Sequence, residues 1–150
     1  MDLISFKIVG IDKVLKSLGK RHEKLKNNKS AFAACVIETD KWTQDNFRSE
    51  GGQVGGWAPL KQATIASRRH GPKKNNSTKI LQDTGFMKNN WKSLWNNNNG
   101  YFQSMTDYAQ VHNSGSVKKN IPKRQIIPTK EQMKDTFRKI FKLFVQKALS

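Results

Sequence analysis

Short runs in which hydrophobic and polar residues alternate, or in which β-formers cluster, predict four strands. Residues 4–8 alternate apolar and polar side chains, which is typical of a half-buried strand. Residues 91–95 and 101–105 are rich in aromatic and aliphatic residues. The intervening Asn96–Gly100 predicts a hairpin turn, because Asn and Gly tolerate positive φ. Ile126 and Ile127 predict a last short strand.

Longer stretches show apolar residues at helical spacing and predict the helices. Two long helices are expected early in the chain, the first capped by Asp12 and ending at Asn27, and the second capped by Ser30 and running to about Phe47. The others are a short helix over 61–69, a turn over 108–112 closed by Gly115, and a final helix introduced by Pro128 and Thr129. Together these elements predict one α+β domain over 1–150, with long helices on one face of a small antiparallel sheet.

Residues 48–78 have little apolar content of their own. Two glycine pairs, Gly51-Gly52 and Gly55-Gly56, precede Trp57, and the stretch from His70 to Ser77 is polar. Loops of this length in compact domains are usually functional or disordered. The sequence therefore predicts a long, extended, Gly-rich arm that protrudes and becomes ordered against a neighbouring subunit.

The charge is the most pronounced compositional feature. The 150 residues contain 28 Lys and Arg against 11 Asp and Glu, a formal net charge of +17. Such a balance favours a polyanion or an acidic protein surface as partner, although lysines also serve simply to keep a polar surface soluble.

Cysteine content and hydropathy indicate the compartment. Cys35 is the only cysteine, so no disulfide forms within one chain, and its apolar neighbours predict a buried thiol. The acidic Asp2 and the alternating N-terminal residues argue against a signal peptide, and the longest apolar run is too short to span a bilayer. We therefore expect a soluble protein made in a cytoplasm.

The sequence contains no recognisable catalytic or metal-ligating pattern. The three histidines, His22, His70 and His112, stand in separate segments without ligand spacing, and Asp83 and Asp107 fit capping or turn roles. We therefore expect no enzyme activity, no metal and no cofactor. Basic residues interleave with aromatic ones, which permits electrostatic binding of nucleic acid, but no sequence-reading motif is present.

A series of short motifs, in a fixed order, resembles a known family. These are Phe47 with the Gly-rich loop, Gly56-Trp57-Ala58-Pro59-Leu60, Thr64, Ile80-Leu81, Thr84-Gly85, Tyr108-Ala109, His112, Gly115 and Pro122-Lys123-Arg124. In order and spacing this series is similar to the phage virion morphogenesis proteins, the tail-completion family of Mu-like and P2-like tailed phages. The resemblance covers about residues 47–129.

The resemblance implies a structural virion protein that completes the tail at its head-proximal end, or forms a neck ring for head–tail joining. It implies a homo-oligomeric ring, with a hexamer favoured, located in the virion after assembly in the host cytoplasm. Other tail and neck proteins would be partners, no membrane would be involved, and genomic DNA would pass without sequence-specific contact.

Two groups of residues are candidates for these contacts. The expected subunit interface consists of Trp57, Pro59 and Leu60 in the arm together with Tyr108 and His112; Tyr108, His112 and Arg124 would hold either this interface or the central fold. The residues expected to face DNA or an acidic partner are Lys118, Lys119, Lys123 and Arg124. Two other functions stay open: a non-specific nucleic-acid-binding protein, and a small nuclease-like enzyme for which the sequence offers no ligand cluster.

Overall fold

The computed structural model describes residues 4–8, 27–72 and 76–149. Within these ranges the elements are, in chain order, β1 (Ser5–Ile8), α1 (Lys29–Arg48), a 3₁₀ turn (Gly52–Val54), α2 (Gln62–His70), α3 (Phe86–Asn89), β2 (Trp91–Trp95), β3 (Gly100–Ser104), α4 (Ala109–Ser114) and α5 (Lys130–Leu149). The helix predicted after Asp12 falls in 9–26, outside the described residues, as do residues 73–75 of the predicted arm.

The described chain divides into two compact units, each assembled from separate segments. The first contains Ile4, 42–72, 76–91 and 104–127, and the second contains 5–8, 27–41, 92–103 and 128–149. Helix α1 supplies residues to both. Because each unit is discontinuous in sequence, neither corresponds to a segment that could be excised, and the single domain over 1–150 stays a prediction.

The second unit is built on a three-stranded antiparallel sheet in the order β1-β3-β2. Phe6 of β1 lies directly opposite Phe102 of β3, and both side chains are buried. Helix α5 contacts this sheet through Phe137, whose ring meets Phe6 edge-on with centroids 5.7 Å apart. Phe141, one turn later, contacts Phe32 of α1 in the same way at 5.5 Å. The predicted α+β class, with a long helix on a small antiparallel sheet, is confirmed.

The predicted hairpin is present, but its turn works differently from the expectation. The side-chain Oδ1 of Asn96 accepts hydrogen bonds from the backbone N–H groups of Asn98 and Asn99, both at 2.8 Å. Positive φ, among described non-glycine residues, occurs elsewhere in the chain. The asparagines therefore act through side-chain acceptance, as in an Asx turn, and not through left-handed backbone.

The start of α1 differs from the sequence prediction, and the start of α5 agrees with it. Helix α1 begins at Lys29, so Ser30 lies inside its first turn and the prediction of a Ser30 cap is wrong. Helix α5 begins as predicted after Pro128 and Thr129. Thr129 Oγ1 accepts from the Gln132 N–H at 3.3 Å while Gln132 Oε1 accepts from the Thr129 N–H at 2.7 Å, which is a capping box.

The predicted strand at Ile126 and Ile127 is wrong. The two residues are buried but belong to no strand, and side-chain amides replace a neighbouring strand as their partners. Asn113 Oδ1 accepts from both backbone N–H groups, at 2.7 and 3.4 Å, and Asn46 Nδ2 donates to the Ile126 carbonyl at 3.3 Å. This extended segment closes the core of the first unit.

No helix of the described ranges combines the length and the apolar character needed to cross a membrane.

Candidate partner-binding groove

The Gly-rich loop after α1 is a compact reversal of the chain within the first unit. Gly51 adopts φ +92°, and a Cβ on it would lie 2.5 Å from Trp57 Cδ1. Its N–H donates to the Asn46 carbonyl at 2.8 Å, and the Trp57 N–H donates to the Glu50 carbonyl at 2.8 Å. Glycine is required here because only a residue without a side chain fits both the left-handed φ and the indole.

Trp57 is part of the core of this unit. Only 7% of its surface is exposed, its ring meets Phe47 edge-on with centroids 5.4 Å apart, and its Nε1 donates to the Gln125 carbonyl at 2.8 Å. The expectation that Trp57 belongs to a protruding arm and contacts a neighbouring subunit is therefore wrong. Phe47 and Gln125 are distant from each other in sequence but come together around the indole, so Trp57 is covered by its own chain.

Arg124 is a buried cation, with 6% of its surface exposed. Its Nε donates to the Ala58 carbonyl at 2.9 Å and its Nη2 to the Pro59 carbonyl at 3.1 Å. Burial lowers the pKa of the guanidinium from its ordinary value, but an arginine side chain stays charged. Across the described ranges no carboxylate forms an ion pair with it. The expectation that Arg124 lies on an open basic surface is therefore corrected: it holds the 58–59 backbone in place.

His112, on α4, lies beside Arg124. Its carbonyl accepts from the Arg124 N–H at 2.8 Å, and its ring meets Tyr108 edge-on with centroids 6.3 Å apart. Burial lowers the pKa of His112, and the positive charge of Arg124 lowers it further, so the imidazole is neutral at pH 7. Its Nδ1 is buried and has no hydrogen-bond partner in the described part of the chain.

Tyr108, His112 and Arg124 line an open groove in the first unit, with a volume of about 680 Å³. Leu60, residues of α2, residues 83–87 and residues 120–122 also line it. Phe86 and Tyr108 line the groove although 54% and 46% of their surfaces are exposed. Two large aromatic side chains are thus held at a concave surface without being covered by the chain itself.

A second arginine in the groove is already fully engaged. Arg68 Nη1 donates to the Ser77 and Lys79 carbonyls, both at 2.9 Å, and its Nε lies 3.4 Å from Asp83 Oδ1. Arg68 and Asp83 therefore fix α2 to residues 77–83. Arg124 differs from Arg68 because no acidic side chain of the described ranges pairs with it.

No protein-family model, curated protein or solved structure matches this chain.

The structure separates the predicted site residues into three groups. Leu60, Tyr108, His112 and Arg124 come together in the groove. Trp57 is in the core behind them, and Pro59 is exposed with its carbonyl bound to Arg124. The remaining predicted residues, Lys118, Lys119 and Lys123, are exposed and lie outside the groove lining.

Sequence reasoning missed Arg68 and Phe86 as groove residues. Phe86 adjoins Met87 on a single helical turn, where successive residues point about 100° apart, so one of the two can face away from the core. Met87 is buried and Phe86 is exposed. Arg68 carried no such signal, since its position depends on contacts with residues 77–83.

The described residues hold neither a metal-binding cluster nor an exposed cysteine. No cluster of three or more His, Cys, Asp or Glu side chains that could hold a metal ion occurs among them. Burial raises the pKa of the Cys35 thiol to about 12, with a smaller contribution from the Glu38 charge. Cys35 is therefore a protonated, unreactive thiol in the second unit.

Proposed function

We propose that this chain is a structural virion protein of a tailed phage or prophage, acting as a homo-oligomeric ring that completes the tail at its head-proximal end or joins head to tail in the neck. The observation that carries the proposal is that the residues responsible for the family resemblance converge in one unit and bind one another.

Most of these contacts join segments that are more than 60 residues apart in the chain. The Phe47 ring packs on Trp57, Trp57 reaches the Gln125 carbonyl, and Arg124 binds the carbonyls of Ala58 and Pro59. Residues that recur in a fixed order because they stabilise one fold are expected to touch in this manner. The convergence supports reading the motif series as a shared scaffold and not as a scatter of unrelated short matches.

The groove supports a role in assembly. Aromatic residues are enriched at protein–protein contacts, where they contribute much of the binding energy. Phe86 and Tyr108 are two such residues at one concave surface. A ring also needs two different patches on each protomer, and the exposed Leu143 on α5 marks a further apolar position available for contact.

Deleting the gene in the phage or prophage tests this function, with electron microscopy of the lysate as the readout. We expect DNA-filled heads separate from tails, or tails with unfinished ends, and restoration of complete particles when the wild-type gene is supplied from a plasmid. Normal infectious virions from the deletion strain would overturn the proposal.

A non-specific nucleic-acid-binding protein is the second candidate. The observation in its favour is the middle of α5, where Lys139 and Lys142 are exposed and form no ion pair with any described residue. Together with the net charge of +17, this favours attraction to a phosphate backbone. Tight, stoichiometric binding to duplex DNA by the purified chain would favour this function over the virion role.

A further inference from the structure

We propose that the groove binds a segment of a different protein, through a carboxylate on Arg124 and an apolar side chain on Phe86 and Tyr108. This deepens the proposed function, on which it rests for the identity of the partner as another virion protein. It assigns the chemistry of the docking segment: an Asp, a Glu or a terminal carboxylate next to an aliphatic or aromatic residue.

The hydrogen bonds of Arg124 leave one edge of its guanidinium open. The Nε–H and one Nη2–H form the side edge of the group, and they donate to the Ala58 and Pro59 carbonyls. The end edge consists of Nη1–H and the second Nη2–H, and these have no acceptor among the described residues. Two parallel N–H donors on one edge match the two oxygens of a carboxylate.

The positive charge of Arg124 also favours an acidic partner. A buried cation without a counter-ion is costly, and the two carbonyl dipoles that hold Arg124 carry no net charge. An occupant that supplies an acidic group would balance this charge.

The exposed aromatic side chains of the groove favour an occupant that carries an apolar side chain. Phe86 lies on α3, and Tyr108 immediately precedes α4 and packs edge-on against His112. Covering them removes apolar surface from water, which is the main driving force in protein association. A carboxylate alone would leave this surface exposed.

Two alternative occupants fit the groove less well. A phosphate backbone carries a charge on every nucleotide, whereas one of the two arginines that line the groove, Arg68, is already paired with Asp83. A second copy of this chain would have to present an exposed acidic residue next to an apolar one, and only 11 of its 150 residues are acidic. An acidic segment of another protein has the complementary charge.

A random heptapeptide library in mRNA-display format tests the groove on the purified full-length chain. We expect selection to enrich peptides that carry Asp or Glu next to a large apolar residue. One enriched peptide is then titrated against ¹⁵N-labelled protein, and saturable shifts should centre on the amides of Phe86, Tyr108, His112 and Arg124. Replacing its acid by the corresponding amide should weaken binding at least tenfold.

Variants locate the contact. Phe86→Ser removes an exposed ring and should weaken the peptide at least tenfold. Val117→Ser also removes an exposed apolar side chain but lies outside the groove lining, so it serves as the matched control and should leave affinity unchanged. Arg124→Lys keeps a positive charge but loses the two-donor edge, so it should abolish the preference for acid over amide. If that variant misfolds, as judged by its amide spectrum, the acid-to-amide change in the peptide decides the same point.

Each contrary result would overturn the proposal. The selection would contradict it by giving no enrichment or by enriching peptides without acidic residues, and the titration by showing shifts outside the groove. A decathymidylate that competes as well as the peptide would indicate a nucleic acid as the occupant. Self-association that is detected by sedimentation and abolished by Phe86→Ser would indicate a second copy of this chain. Because the assay uses purified protein, it is independent of the deletion phenotype. Intact virions after gene deletion would remove the virion role while leaving peptide binding as measured.

Discussion

Gly115 adopts a backbone conformation that is essentially restricted to glycine. Its φ of +76° and ψ of 169° fall outside the regions open to other residues. A Cβ at this position would lie 2.8 Å from the backbone nitrogen of Lys123, so a side chain would also displace the strand-like segment that leads to Arg124. The glycine that follows His112 in the motif series thus has a stereochemical explanation.

Gly115→Ala should destabilise the protein by at least about 3 kcal/mol, because backbone strain and a steric clash with Lys123 add together. Gly55→Ala is the matched control: Gly55 also has positive φ, at +83°, but a Cβ there would have nothing within 4 Å. Strain alone should cost about 1 kcal/mol. Urea unfolding of both variants measures the difference, and equal losses would show that the close approach to Lys123 is unimportant.

His112 makes stability depend on pH. Its pKa is lowered in the folded state by burial and by Arg124, so on acidification the unfolded chain binds a proton before the folded one does. The free energy of unfolding should therefore fall as pH drops below about 6.5, the ordinary pKa of histidine. His112→Gln should reduce this decline between pH 7.5 and 5.5 in urea titrations. Identical pH slopes in both proteins would show that His112 does not contribute.

At the scale of elements, the segment 125–127 shows how side chains replace a strand partner. Ile126 and Ile127 are buried, and the hydrogen bonds of the segment go to the side chains of Asn46, Trp57 and Asn113. Each of these three side chains comes from a different part of the first unit. The segment therefore depends on tertiary contacts for its conformation, in contrast to β3, which pairs with β1 along its length.

Asn113→Ala should destabilise the protein by about 2 kcal/mol, because it removes the acceptor for the buried N–H groups of Ile126 and Ile127. Gln110→Ala on the same helix is the control; its bond to Ser114 is exposed, and its loss should cost less than about 0.5 kcal/mol. Denaturant unfolding compares the two. A loss at position 113 no larger than at position 110 would contradict the proposed role.

The elements that could be predicted are those whose signal is local. Period-two alternation gave β1, the apolar runs around the asparagines gave β2 and β3, and the helical stripe after Thr129 gave α5. The error at Ile126-Ile127 arose because two adjacent β-branched residues indicate burial but not which partner satisfies their backbone. That information lies in asparagines up to 80 residues away.

At the scale of the molecule, the motif series predicted which residues matter but not how they are used. Trp57 was expected at a subunit contact and lies in the core. Arg124 was expected either to face a partner or to hold the central fold or the interface, and it is buried. Trp57 follows two glycine pairs and Arg124 follows a basic segment, and both contexts look like loop from sequence alone. Their burial follows from contacts between the 50s and the 120s, and periodicity carries no information about such pairings.

The distribution of charge leads to a prediction about polyanion binding. If α5 carries the attraction, replacing Lys139 and Lys142 by Gln should lower the slope of log affinity for duplex DNA against log salt concentration by about 2, since each phosphate contact contributes about 0.9. Replacing Lys118 and Lys119 by Gln should leave the slope unchanged. Fluorescence anisotropy between 50 and 300 mM salt measures both. The reverse pattern would move the contact to the loop after α4.

The first unit is held together largely by side chains that bind backbone carbonyls. Arg124, Trp57 and Gln82 each donate to a carbonyl of a distant segment. Every amino acid supplies the same carbonyl, so mutation should be tolerated unequally at the two ends of each contact. Donor positions should be nearly invariant in a saturation library, while acceptor positions such as Ala58 should accept many residues. The fold can therefore drift widely in sequence while a small set of long side chains stays fixed.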